Sequence, residues 1–145
     1  GDIDEDPALR ERVIHAAEQA HAHHFIEELP NGYQTEVGDR GVRLSGGQQQ
    51  RLFVARELFK QPNLLLLDEA TSDLDTASEQ HIQSSIDALQ GKVTVVIIAH
   101  RLSTVKNADR VYVLDQGRVI EEGSYYELRH RENGQFREMV EMQSL

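Results

Sequence analysis

The sequence predicts an α/β fold built around one strand–helix–strand crossover. Two apolar runs of strand length, Leu64–Leu67 and Val93–Ala99, have the composition of strands buried on both faces of a parallel sheet. Between them, Thr76–Leu89 carries helical spacing and is long enough to return the chain to a parallel neighbour. Such a connection is right-handed and puts chemistry beyond the carboxyl ends of the strands, where Asp68 and His100 stand.

The other elements follow from local signals. Leu9, Val13, Ala16, Ala17, Ala20, Phe25, Ile26 and Leu29 suit one or two amphipathic helices over 8–29, stopped by a Pro30-Asn31-Gly32 turn. A polar loop spans 33–43. Ser45 then occupies a helix N-cap, with Gln48 three residues on to close a capping box, and Leu52, Ala55, Leu58 and Phe59 mark one face. Pro62 prevents that helix from running far. After the second strand, Arg110–Leu114 and Arg118–Glu121 flank Asp115-Gln116-Gly117 and read as a tight hairpin. Ser124-Tyr125-Tyr126-Glu127 is a second capping box. It opens an amphipathic segment with Leu128, Phe136, Met139, Val140 and Met142, interrupted at Asn133-Gly134.

Composition limits the function classes. With 145 residues, 39% of them hydrophobic, the chain is long enough for one globular domain, though it need not be a complete one. It has no cysteine, which excludes disulfides and thiolate metal sites. No apolar run approaches the ~20 residues that span a bilayer, and Gly1–Asp6 is no signal peptide, so the chain is expected to be soluble. A formal charge of −10 argues against nucleic acid as a partner, since a duplex footprint needs clustered Lys and Arg.

Two segments carry chemistry. A helix N-terminus presents unpaired amides and a partial positive charge, and Gly46 and Gly47 behind Ser45 keep side chains out of the way of an approaching phosphate. The dipole contributes roughly 0.3–1 kcal/mol, about 2 when partly buried, too little to hold a nucleotide alone. The turn must therefore complement another surface. Asp68, at the end of the first strand, offers a hard oxygen ligand for Mg2+, and Glu69 beside it is placed to orient or deprotonate an attacking water. His100 ends the second strand and can donate to a phosphate oxygen or a carboxylate. His15, His21, His23 and His24 invite a metal reading, but the spacing of the last three shares no clean helical face. Gly91-Lys92-Val93 fails as a phosphate loop: Ile86 stands where glycine is required and Val93 where a hydroxyl residue would ligate Mg2+.

In this combination and order, these residues resemble the later half of the nucleotide-binding domain of ABC transporters, over nearly the whole chain. Leu44, Ser45, Gly46, Gly47 and Gln48 look like the signature motif, Leu64–Asp68 the Walker B strand, Glu69 the catalytic carboxylate, Ser72–Asp75 the D-loop and His100 the switch histidine. Thr35–Gly41 looks like the segment that precedes the signature in exporter-type domains. The resemblance implies a P-loop NTPase-like fold, with part of the helical subdomain over 1–62 and the C-terminal half of the RecA-like core over 63–145. It implies ATP and Mg2+ as ligands, with Asp68 at the metal (through water), Glu69 and His100 catalytic, and Leu44–Gln48, Asp73 and Asp75 at the nucleotide. The implied partners are a second nucleotide-binding domain, paired head to tail, and the exporter's membrane domain, whose coupling helices lie near Glu36. The parent would then work at the cytoplasmic face of a membrane, coupling ATP hydrolysis to export.

Gln49, Glu57 and Asp73 depart from the residues usual in the family, and no Walker A loop or glutamine-switch strand is present in these 145 residues. The chain alone is therefore expected to bind ATP weakly and to be inactive. It is also expected to expose a sheet face and edge, and so to associate. Two competing readings are the carboxyl lobe of an SMC-like or DNA-repair ABC ATPase and a non-enzymatic module completing another subunit's site. The first predicts heptads leading into residue 1, and no heptad runs through 1–40; intact Glu69 and His100 weigh against the second.

Overall fold

The computed structural model describes residues 6–68, 76–99 and 101–143. They fall into two compact units, Gly1–Ile98 and Ala99–Leu145. The boundary anticipated between 62 and 63 lies inside the first unit.

The first unit opens with α1 (Pro7–Gln19), capped by Asp6, whose Oδ1 accepts from the amides of Ala8 and Leu9 at 3.0 and 3.1 Å, with Pro7 pre-set at the first helical position. The 8–29 segment resolves into two helices, α1 and α2 (His23–Glu27). The break is at His21, whose φ of 53° is left-handed, and Ala20 and Ala22 on either side are fully buried, so the chain folds tightly there. A single 3₁₀ turn, Gly32–Gln34, enters what the sequence reads as polar loop. Residues 36–42 then close on themselves through Val42 N–H to Glu36 O (2.9 Å) and Gly38 N–H to Val42 O (3.2 Å). Gly41 is required there, because a Cβ would collide with the Glu36 carbonyl.

Helix α3 (Gly46–Phe59) follows, then β1 (Leu64–Asp68), α4 (Thr76–Ala88) and β2 (Thr94–Ile98). Strands β1 and β2 pair in parallel, Leu64 opposite Thr94 through Asp68 opposite Ile98, as the crossover reading requires. Leu65 and Leu67 point into a core shared with Val54, Ala55 and Leu58 of α3 and Ile82 and Ile86 of α4. Leu67, Val54 and Ile82 are 2%, 0% and 0% exposed, so truncating any of them to Ala would cost about 2–5 kcal/mol.

Of the two expectations for this sheet, the structure agrees with an exposed face and corrects burial on both. Both faces of this sheet are apolar, but only one is covered. Leu64, Leu66, Val96 and Ile98 are 59%, 62%, 46% and 48% exposed, because the helices of this unit pack on the face that carries Leu65 and Leu67. Apolar composition reports what a face can bury, and coverage requires a second layer.

The second unit contains a short α5 (Leu102–Val105), a hairpin of β3 (Val111–Asp115) and β4 (Arg118–Gly123), then α6 (Tyr125–His130) and α7 (Gln135–Gln143). The hairpin turns through Gln116 and Gly117, both at positive φ (47° and 75°), which matches the strand twist of a two-residue loop. Its strands run past the expected ends, and a bulge between Val113 and Leu114 shifts the register. Asn133, at φ 55°, separates α6 from α7 where the sequence placed its interruption. The core joins Val111, Val113, Leu128, Phe136 and Val140, with Tyr125 edge-on to Phe136 at 5.7 Å. The buried Glu121 accepts the Phe136 N–H at 2.8 Å and fixes the start of α7. Among the described residues no helix is long and apolar enough to cross a membrane.

Candidate functional site

The N-terminus of α3 is built by reciprocal bonds. Ser45 is extended (φ −64°, ψ 161°), its Oγ accepts from the Gln48 amide at 3.2 Å, and its own amide donates to Gln48 Oε1 at 2.9 Å. The expected capping box is therefore present. Its geometry has a chemical consequence. With the Ser45 oxygen used as an acceptor, its hydroxyl proton is left to donate outward, and with Gln48 Oε1 engaged, the Gln48 amide nitrogen is left to do the same. The amides of Gly46 and Gly47, in the first helical turn, have no intrahelical acceptor. Four donors thus surround one helix end, a disposition suited to a tetrahedral oxyanion.

Neighbouring contacts brace this turn. Gln49 Nε2 donates to the Leu44 carbonyl at 3.2 Å, and Leu44 packs half-buried against the core. Arg51, one turn further along, donates from Nε to the Gly47 carbonyl at 3.4 Å and from Nη1 to the His21 carbonyl at 2.8 Å, with its guanidinium 4.9 Å above the Phe25 ring. Sequence reading did not single out Arg51. The available signal was its position four residues after Gly47, on the same helical face.

Asp68 is the last residue of β1, exposed, and in register with Ile98 at the end of β2. Because the strands are parallel, their carboxyl ends lie on one edge of the sheet. An exposed carboxylate at that edge is chemically suited to a hard, hydrated cation. Glu69, Asp73, Asp75 and His100 lie outside the described residues.

The N-terminal histidines have other occupations. His23 Nδ1 lies 2.7 Å from the Tyr33 hydroxyl and its Nε2 3.4 Å from Glu27, and His24 pairs with Glu28 at 3.5 Å. Burial, with Glu27 and Glu18 adding negative charge, pushes the Tyr33 hydroxyl up to about 12, so it stays protonated in this contact.

A shallow cleft lies between the 36–43 segment and α3. Val37, Arg43, Leu52, Phe53 and Arg56 line it, and Phe53 and Val37 are 47% and 40% exposed. It adjoins Glu36.

A family model described as ABC transporter matches residues 2–72. An ATP-dependent lipid A-core flippase of Methylobacillus flagellatus is 60% identical over 121 residues, 83% of this chain and 21% of that protein. ABC transporter B family member 18 of Arabidopsis thaliana is 48% identical over 140 residues, 97% of this chain and 11% of that protein. Among solved structures, a bacterial Atm1-family ABC exporter with ATP bound superposes with a TM-score of 0.82 at 48% identity, covering 94% of this chain and 24% of that one. The chain thus spans no more than about a quarter of these relatives' length.

Proposed function

The chain belongs to the ABC transporter family, as a stretch of an exporter-type nucleotide-binding domain, and we propose that it contributes to two ATP sites of a parent exporter. The observation that carries this reading is the capping box, which leaves the Ser45 hydroxyl and the Gln48 side-chain amide as donors at the helix end whose first amides are those of Gly46 and Gly47. A γ-phosphate held by a second nucleotide-binding domain, paired head to tail, is the oxyanion these donors fit. Such a site is completed only when two domains meet, which makes closure dependent on nucleotide.

Asp68, Glu69 and His100 serve the chain's own site in this reading. Asp68 would hold Mg2+ through water, in keeping with an exposed carboxylate at a strand end. The metal's chemistry is to neutralise charge on the phosphate oxygens. Glu69 orients a water and accepts its proton as the water oxygen bonds to the γ-phosphorus and the bridging oxygen departs with ADP. His100 donates to a γ-phosphate oxygen, and Asp73 and Asp75 line the interface between the domains. Residues 1–62 act as the helical-subdomain part and 63–145 as the carboxyl half of the catalytic core.

The cleft beside Glu36, with Phe53 and Val37 exposed at its mouth, receives a coupling helix of the membrane domain. The parent then converts hydrolysis at the cytoplasmic face into export across the membrane. The relatives are transporters and lend no support to an SMC-like reading. Glu69→Gln in the complete parent tests the assignment: ATP-dependent dimers are expected to persist without turnover, read by light scattering and phosphate release. Hydrolysis at the wild-type rate would rule out Glu69 as the base.

A further inference from the structure

His21, Arg51 and His81 come from three separate elements and meet at one place. The His21 and His81 rings stack at 5.7 Å with an interplanar angle of 13°. Arg51 Nη1 lies 3.3 Å from His81 Nδ1 while it also donates to the His21 carbonyl, and Arg51 Nε holds the Gly47 carbonyl. We propose that these three side chains form a proton-sensitive clasp, with Arg51 as the positioning residue that ties the Gly46–Gln48 turn to α4 and to the α1–α2 turn. The proposal rests on the reading of that turn as phosphate-facing only for its consequence in the parent; the clasp itself is a property of this chain.

The chemistry follows from donor arithmetic. A guanidinium has only N–H donors and does not deprotonate, so a hydrogen bond between Arg51 and His81 requires Nδ1 of His81 to accept. The imidazole is then neutral, with its proton on Nε2. Protonation turns Nδ1 into a donor facing a donor, and the contact becomes repulsive. A charged His21 stacked on His81, close to Arg51, adds like charge to the same spot. Proton uptake therefore opposes both the Arg51–His81 hydrogen bond and the His21–His81 stack.

The groups that face this point are identifiable. The charges acting on His21 are His81 from α4 and Arg51 from α3, and burial together with both of them holds the His21 imidazole below its ordinary value of 6.5. On its own side of the molecule, His23 is engaged by Tyr33 and Glu27, and His24 by Glu28. Glu79 precedes His81 by two residues on α4. The sign is definite. A histidine whose folded value lies below its unfolded one binds fewer protons when folded, so its contribution is complete above pH 6.5 and is lost as pH falls through the lower folded value.

The clasp is tested on the full 145-residue chain by NMR titration between pH 8 and 4.5, following the imidazole resonances and the amides of Gly46, Gly47 and Gln48. The expected results are a His21 midpoint below 6.5, an upward shift of that midpoint in His81→Asn, and Gly46–Gln48 amide shifts that follow the His21 titration in the wild type and shrink in the variant. His81 is exposed on α4, so Asn there leaves the fold in place; His21→Asn provides the second variant. A His21 midpoint at 6.5 that is indifferent to His81→Asn, or signature-turn amides that do not respond to pH, overturns the clasp. In the complete parent, His81→Asn should flatten the acidic limb of the ATPase pH profile. A parent that hydrolyses no ATP defeats the functional reading while the titration of the chain still decides the clasp.

Discussion

Ser45 caps α3 and is proposed to face a phosphate, two tasks that one substitution confounds and a pair of substitutions separates. Its Oγ accepts the Gln48 amide at 3.2 Å, and Ser45→Ala removes that acceptor and leaves the helix end open. Losing an N-cap costs about 1 kcal/mol, within a range of about 0.5–2. With a urea dependence of about 1–3 kcal/mol per molar, the unfolding midpoint of the chain should fall by about 0.3–1 M, read by far-UV circular dichroism. Ser45→Asp keeps a capping acceptor of equal quality, so its midpoint should stay within about 0.3 M of wild type. In the complete parent the same carboxylate replaces a donor with an anion where the γ-phosphate is proposed to sit. Removal of one such donor costs about 10²–10³ in turnover, and added charge can only increase the loss. An unmoved midpoint in Ser45→Ala would refute the cap as a source of stability. Wild-type hydrolysis by the Ser45→Asp parent would refute the phosphate-facing role, whatever the stability data say.

Other predictions address the rest of the molecule. Glu121→Ala leaves the buried Phe136 N–H without its 2.8 Å acceptor and should cost about 1–3 kcal/mol, with amide exchange accelerating along α7 before α3 is affected. Leu66→Glu, on the open sheet face, should leave the fold intact and shift sedimentation of the chain toward monomer; a wild-type chain that is strictly monomeric at high concentration would contradict the premise that Leu64, Leu66, Val96 and Ile98 drive association.

The residues that were legible in sequence are those whose partners lie within one helical turn. Both capping boxes, Ser45 with Gln48 and Ser124 with Glu127, are three-residue statements, and the structure forms both. The same is true of the Gln116-Gly117 turn and the Asn133 break, where a left-handed backbone is signalled by the residue types themselves. The strand pair was legible because apolarity and length jointly exclude a helix. An exposed sheet face was expected, but the sequence could not say which: Leu64 and Leu65 are the same residue, yet one is 59% exposed and the other 4%. Helix α5 is four residues long and too short to show a period, and the bulge after Val113 depends on register with a second strand.

The site divides along the same line. Leu44–Gln48 could be read as a capped turn suited to an oxyanion because every bond that shapes its cap is local. Its bracing could not, because Arg51 reaches the His21 carbonyl and the His81 ring, each thirty residues away, and lies over the Phe25 ring. A cap sets which donors point outward, and long-range bracing sets how firmly they stay there. Preorganised donors stabilise a developing charge only to the extent that they need not move to meet it. On the proposed reading, Arg51 therefore belongs to the function of the signature turn as much as Ser45 does, although only Ser45 stands inside the motif.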